Sequence, residues 1–242
     1  MKWNFIYILF ISLPLANIIH ESGELSEFLG GHSPGSSYDN WVSHVTEGIA
    51  SDGFNDYGPD WLDVQTTGFG NYNKLESGDP ILSYWEDIFS SFILGDTTLV
   101  DSLLQDSIES FYYELVVFED TVYNQIFHII REQLDTNFID LNQSDNDLDD
   151  VVGSFRNGWG MYIINPQATR EQVVIQVPHP CDDFIAPYIA IDIFLETNAF
   201  AFMINGAGRE VLWTEVGNYS NSKSLSDPSR YPNTIFQKFQ EV

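Results

Sequence analysis

The sequence predicts an α/β protein, in which a helical N-terminal part is followed by a three-layer mixed or parallel sheet with flanking helices. Two observations carry this prediction. Residues 173–177, 185–196 and 199–204 form an apolar β-branched run, an apolar helical stretch and a second apolar run, the pattern of a βαβ unit. Residues 80–137 instead repeat apolar side chains at spacings of three and four, the period of amphipathic helices.

The N-terminus is typical of a secretory signal peptide. Lys2 is followed by an apolar run over residues 5–16, which is too short for an ordinary membrane span. We therefore expect residues 1–19 to be a signal peptide, cleaved near Ala16 or a few residues later. The mature protein would then be secreted or periplasmic and would have no membrane segment. A buried N-terminal helix or strand is the alternative.

Residues 20–150 are predicted to be an acidic region of aromatic loops and helices. Aromatic side chains alternate with Gly, Asn and Asp over residues 53–73, which is typical of carbohydrate-stacking loops or of irregular structure fixed by packed rings. Asp79-Pro80 and Asp96 are candidate helix starts, and Gly95 is a candidate stop. Three helical groups are expected: Ile81, Trp85, Ile88, Phe89 and Phe92; Leu99, Leu103, Ile108, Phe111 and Leu115; Val122, Ile126, Ile129, Ile130 and Leu134.

The charge balance narrows the choice of partners. The net charge of −27 on 242 residues, with 43% hydrophobic residues, describes a folded and very acidic protein. Such a charge argues against nucleic acid and anionic membranes as partners. Residues 1–150 hold 27 of the 36 acidic and three of the nine basic side chains. The later cations Arg209, Lys223 and Arg230 suit an anionic substrate or product, or else pair with local carboxylates.

The region 151–242, separated from the first by a polar stretch over residues 142–150, carries the candidate site. The run Val173–Val177 is predicted to be a buried, central strand, which Pro178 and Pro180 end. His179 and Asp182 would then lie where a strand opens into a loop, the place where α/β sheets hold their chemistry.

An imidazole and a carboxylate at this spacing can bind one divalent metal, and Zn²⁺ accepts both ligand types. The alternative is that His179 and Asp182 only cap the strand and the next helix. Cys181, the single cysteine, excludes an internal disulfide framework, and its neighbour His179 also allows a nucleophile reading. The turn from Ser226 to Tyr231 supplies a further group, because Asp227 can fix the guanidinium of Arg230 for a substrate carboxylate.

These motifs resemble the zinc carboxypeptidase-like hydrolases, which include carboxypeptidases, succinylglutamate desuccinylases and, more loosely, N-formylglutamate amidohydrolases. The stretch His179-Pro180-Cys181-Asp182 is similar to the family's His-x-x-Glu motif with Asp for Glu, and Asp227-Pro228-Ser229-Arg230 is similar to Asp-x-Asn-Arg with Ser for Asn. The resemblance covers about residues 159–240. It implies part of a phosphorylase/hydrolase-like fold, Zn²⁺ bound by His179 and Asp182, and an acidic substrate group held by Arg230 and Arg209.

The sequence also departs from that family. The family's third ligand is a second His after the Arg turn, and its general base is a later Glu, but no His follows His179. One of the upstream histidines would have to complete the site, or the chain is a shortened or incomplete member.

Three functions follow from these patterns. The leading one is a secreted, metal-dependent hydrolase of amide or peptide bonds in a small acidic or peptide-like substrate. The second is a non-catalytic or truncated extracytoplasmic relative that binds without cleaving. The third is a glycan-binding surface module that uses the aromatic loops.

Overall fold

The computed structural model of the protein describes residues 18–30, 41–42, 45, 72–106, 111–133, 139–140, 151–152, 155–180, 185–208 and 225–242, with the pairs 139–140 and 151–152 described by their backbone alone. Trp41, Val42 and Val45 are helical. The other elements within these residues are β1 (Ile19–Gly23), α1 (Leu25–Gly30), α2 (Pro80–Ile93), α3 (Thr97–Asp106), β2 (Tyr113–Asp120), β3 (Gln125–Glu132), β4 (Ile139–Asp140), β5 (Val151–Val152), β6 (Met161–Ile164), β7 (Arg170–Val177), α4 (Ala186–Thr197), β8 (Ala199–Ile204) and α5 (Ile235–Glu241).

Six strands form one mixed sheet in the order β1-β2-β3-β6-β8-β7. The outer pairs β1–β2 and β7–β8 are parallel, whereas β2–β3, β3–β6 and β6–β8 are antiparallel. The short strands β4 and β5 pair separately. The sheet takes three strands from before residue 150 and three from after it, so both predicted regions contribute to one sheet.

Apolar side chains cover both faces of this sheet. Alternate residues of β6 and β8 enter two different cores, because successive side chains of a strand point to opposite faces. Helices α1 and α4 pack on one face, and α2, α3 and α5 pack on the other. The protein is therefore of the α/β class, with a helical layer on each face of a mixed sheet.

The predicted βαβ unit is confirmed. Strand β7, helix α4 and strand β8 follow one another. Strands β7 and β8 pair in parallel, with Val177 opposite Ile204. The first predicted helix of the N-terminal part is confirmed as α2, and the second is confirmed as α3 only over Thr97–Asp106, because Leu115 lies in β2. Asp79 caps α2 by accepting a hydrogen bond from the N–H of Ile81 (3.0 Å), and Gly95 ends it at a φ of +75°.

The third predicted helix is wrong. Residues 113–120 and 125–132 form the antiparallel hairpin of β2 and β3. Ile129 and Ile130 enter opposite cores and Ile126 is 43% exposed, so the spacing of these residues comes from a strand with apolar side chains on both faces and not from one helical face. The four-residue turn 121–124 ends at Asn124 with a φ of +53°.

The prediction of a buried, central strand at Val173–Val177 is also wrong in its placement. Strand β7 is the last strand at one edge of the sheet, and Val177 is the only one of its residues that is fully buried. Val174 is 41% exposed. The β-branched residues favour a strand at an edge as well as at the centre, so the run alone did not fix the position.

Several predictions fall outside the described residues. They include most of the signal peptide (1–17), the polar stretch 142–150 and most of the aromatic loops. Tyr72, the first described ring of those loops, is buried in the core on the α2 face. None of the helices in the described part of the chain is long and apolar enough to span a membrane.

Candidate functional site

The candidate site lies at the C-terminal ends of strands β7 and β8. Both strands run in the same direction, so these ends lie side by side, and "edge" below means this end of the strands. The pairing extends one step beyond β8, because the N–H of Asn205 donates to the carbonyl of Val177 (3.0 Å). His179 follows two residues later, between the two prolines that end β7. Its side chain is 18% exposed.

A turn at residues 226–231 brings a carboxylate to His179. The N–H groups of Arg230 and Tyr231 both donate to the carbonyl of Asp227, at 3.1 and 2.9 Å. The Ser226 hydroxyl donates to the carbonyl of Gly208 (2.7 Å), which fixes the turn to the segment after β8. As a result, Asp227 Oδ1 lies 3.0 Å from His179 Nε2, across 48 residues of sequence.

Asp227 is an ionised acceptor. Its side chain is 3% exposed, and Oδ1 also accepts hydrogen bonds from the N–H and the hydroxyl of Ser229, at 2.8 and 2.5 Å. Burial alone would raise the pKa of Asp227, but hydrogen bonds from Ser229 and His179 outweigh it and lower the pKa below its ordinary value. Because a carboxylate only accepts, the proton between the two side chains lies on His179 Nε2.

In the neutral imidazole, a proton on Nε2 leaves the lone pair on Nδ1. None of the described residues donates a hydrogen bond to it. Ser229 Oγ lies 3.4 Å from the same Nε2, and its own proton goes to Asp227. The trio therefore differs from a Ser-His-Asp nucleophile arrangement, in which Ser and Asp bond opposite nitrogens of the ring.

Arg230 lies on the other side of Asp227. Its Nε is 3.5 Å from Asp227 Oδ2, and its side chain is 45% exposed. The guanidinium therefore forms an ion pair with the carboxylate while its side chain remains partly exposed.

The structure places only some of the predicted site residues. His179 and Arg230 meet at one carboxylate, whereas Asp182, Arg209 and Cys181 lie outside the described residues. Among the upstream histidines, His20 is exposed on β1 and His128 is on β3. Within the described residues, no group of three or more His, Cys, Asp or Glu side chains could hold a metal ion.

A buried carboxylate at the same edge had no sequence signal. Glu132 ends β3, is fully buried, and accepts hydrogen bonds from the N–H groups of Asn157 (2.5 Å) and Gly158 (2.9 Å). Burial raises the pKa of Glu132 to about 7, although the backbone hydrogen bonds act in the opposite direction. Glu132 thereby holds the segment 156–160 against the end of the sheet.

The backbone of that segment is in close contact with the backbone of the residues at the end of β8. A Cβ added at Gly160 would lie 2.2 Å from the carbonyl oxygen of Ile204, and one added at Gly206 would lie 2.6 Å from the nitrogen of Gly160. Two glycines are therefore required for the two segments to pack. The sequence signal for this contact is the Gly-Trp-Gly at residues 158–160.

Comparisons of the chain with protein-family models, with curated proteins and with solved structures found no match. The class that the fold defines is an α/β protein with a mixed six-stranded sheet. The resemblance to zinc carboxypeptidase-like hydrolases therefore rests on the motifs of the sequence.

Proposed function

We propose that the protein is a metal-dependent hydrolase of amide bonds in an acidic substrate, with His179 as a metal ligand. The observation that carries this proposal is the hydrogen bond between His179 Nε2 and the buried, ionised Asp227. A ligating histidine in proteins commonly donates its second ring N–H to a carboxylate, which fixes the tautomer and the orientation of the ring. Asp227 fits this supporting role.

The donor set accounts for one ligand position and leaves the others to residues outside the described part. In the neutral imidazole, His179 Nδ1 has the lone pair that a divalent ion requires, and Asp182 follows three residues later in the sequence. Asp227 Oδ1 already faces three hydrogen-bond donors, so it orients His179 rather than binding the ion. When bound, Zn²⁺ would polarise an amide carbonyl and lower the pKa of a water molecule.

The acidic substrate is inferred from Arg230. In a chain with a net charge of −27, an anion is repelled unless a cation is fixed at its binding site. Arg230 is fixed through Nε by Asp227, so its two terminal nitrogens remain for a bidentate contact with a carboxylate. His179 and Arg230 each contact one oxygen of the Asp227 carboxylate.

Zinc titration of the full chain tests this proposal. We expect about one equivalent of Zn²⁺ to bind, and we expect both His179→Ala and Asp182→Ala to lose it, because each removes a ligand. Asp227→Asn should weaken binding by roughly 10- to 100-fold, the usual effect of a supporting carboxylate. His20→Ala, which changes an exposed histidine on β1, is the matched control and should bind as the wild type does.

Two results would contradict the proposal. Equal zinc affinity in the wild type, His179→Ala and Asp182→Ala would move the metal away from this edge. Absence of binding in the wild type would instead favour the second reading of the sequence, a non-catalytic extracytoplasmic binding protein. The glycan-binding reading has no support from Tyr72, whose ring is buried.

A further inference from the structure

Asn205 is a buried polar residue next to the candidate site that the proposed mechanism does not use. It directly follows β8 and is 1% exposed. Its backbone bonds to Val177, two residues before His179, and its side chain bonds to Ser226, one residue before Asp227. The carboxamide therefore lies between the two segments that carry the imidazole and its carboxylate.

The hydrogen bonds identify the two atoms of the carboxamide. Nδ2 donates to the carbonyls of Ala207 (2.9 Å) and Ser226 (3.0 Å), so the nitrogen side is fully used. Oδ1 is buried and has no hydrogen-bond partner among the described residues. A buried acceptor without a donor is unfavourable, and in native proteins such an atom calls for a water molecule or a ligand.

The surrounding backbone keeps Asn205 in place. A Cβ added at Gly160 would lie 3.2 Å from the Cα of Asn205, and the next residue, Gly206, is packed against Gly158 and Gly160. Shifting the chain to find Oδ1 a protein donor would break these contacts. None of the described residues can therefore supply the missing donor without such a shift.

We propose that Asn205 Oδ1 accepts a hydrogen bond from the N–H of the substrate amide, so that Asn205 selects amides over esters. This inference rests on the proposed function, because an amide substrate brings both an anionic group for Arg230 and an N–H donor. An ester of the same shape has an oxygen in place of the N–H. The ester would leave Asn205 Oδ1 without a donor and would place its own oxygen, a second acceptor, next to Oδ1.

The chain contains a matched control for this residue. Asn165 also directly follows a strand, β6, and is also 1% exposed. Its Nδ2 donates to Gln125 and Asn198, and its Oδ1 accepts from the N–H of Gln167 (2.9 Å). Asn165 lies at the opposite end of the strands, and its Oδ1 already accepts a hydrogen bond.

The test compares two probes that differ only at the N–H. N-acetyl-L-glutamate and its ester isostere, 2-acetoxyglutarate, are titrated calorimetrically into the full chain in EDTA, so that no metal-dependent cleavage occurs. We expect the wild type to bind the amide about 10- to 100-fold more tightly than the ester. Asn205→Ala should reduce this ratio to about one, whereas Asn165→Ala should keep it.

The ratio remains meaningful when a variant is partly unfolded, because both probes bind the same folded fraction. Equal binding of the two probes by the wild type would overturn the inference and leave the proposed function standing. A preference that persists in Asn205→Ala would also overturn it, by assigning the selection to another residue. Binding of neither probe by the wild type would overturn this inference, and the zinc titration above would then decide the proposed function separately.

Discussion

Two polar clusters, each with one buried asparagine, lie at opposite ends of the strands of the same sheet and use their hydrogen bonds differently. At the edge where β6 ends, the amides of Gln125, Asn165 and Asn198 bond one another, and Gln167 closes the set. At the edge where β7 and β8 end, His179 and Asn205 each retain an acceptor with no partner among the described residues. The first arrangement stabilises a turn, whereas the second leaves atoms available for a ligand.

This difference is informative because both edges are equally buried at their asparagines. A fold optimised for stability alone would satisfy both sites. An edge that keeps unsatisfied acceptors beside an ionised Asp227 and a fixed Arg230 is therefore the better candidate for function. Substitutions at and away from this end of the strands test how strongly the packing there contributes to the free energy of unfolding.

The largest effect is expected from Gly160→Ala, which should disrupt the functional edge. The new methyl group would meet the carbonyl oxygen of Ile204 at 2.2 Å, and Gly160 has a φ of +100° that other residues rarely adopt. Clash and strain together should cost about 4 kcal/mol of the free energy of unfolding, measured by urea denaturation.

Gly78→Ala is the control for Gly160→Ala. Gly78 has a φ of +83°, but a Cβ there would meet nothing within 4 Å. It should cost about 1–2 kcal/mol, from backbone strain alone. Equal losses in the two variants would mean that the segment 158–160 does not press against the end of β8.

The next effect concerns Glu132 and depends on pH. The pKa of Glu132 rises from an ordinary 4.5 to about 7 in the folded protein. The unfolded state therefore loses its proton first, and the folded protein should lose about 3 kcal/mol of stability as the pH rises from about 4.5 to 7, with no further change above that. Glu132→Gln should flatten this part of the stability curve.

Asp227 provides the internal comparison for Glu132. Its pKa is lowered on folding, so its contribution is present above its ordinary pKa and is lost as the pH falls below it. The two carboxylates therefore act in separate pH windows. A slope between pH 4.5 and 7 that survives in Glu132→Gln would assign the titration to another group.

The parts of the fold that the sequence predicted are those with local causes. The run Val173–Val177, its proline stop and the following helix each follow from neighbouring residues, and the βαβ unit was predicted correctly. The hairpin of β2 and β3 was missed because its strands are apolar on both faces. Edge and central strands also cannot be told apart from one β-branched run.

The candidate site divides in the same way. His179 and Arg230 belong to short motifs and were found from the sequence. Asp227, the hydrogen-bond partner of His179, is 48 residues away in the sequence. Their contact depends on the folded position of the turn beside the end of β7, which the sequence does not give. Asn205 and Glu132 required the strand pairing itself, because their roles depend on which backbone groups lie beside them.

The smallest effect compares the two asparagines directly. Asn165→Ala removes three side-chain hydrogen bonds and leaves Gln125 Oε1 and the N–H of Gln167 without the partner that Asn165 supplies, which should cost about 2–3 kcal/mol. Asn205→Ala removes two hydrogen bonds but also removes an unsatisfied oxygen, so it should cost about 1–2 kcal/mol. Both values are measured as the free energy of unfolding in urea at one pH. If Asn205→Ala loses more free energy of unfolding than Asn165→Ala, Oδ1 already has a donor, either a bound water or a protein group. The polar groups around Asn205 would then be satisfied, as those around Asn165 are.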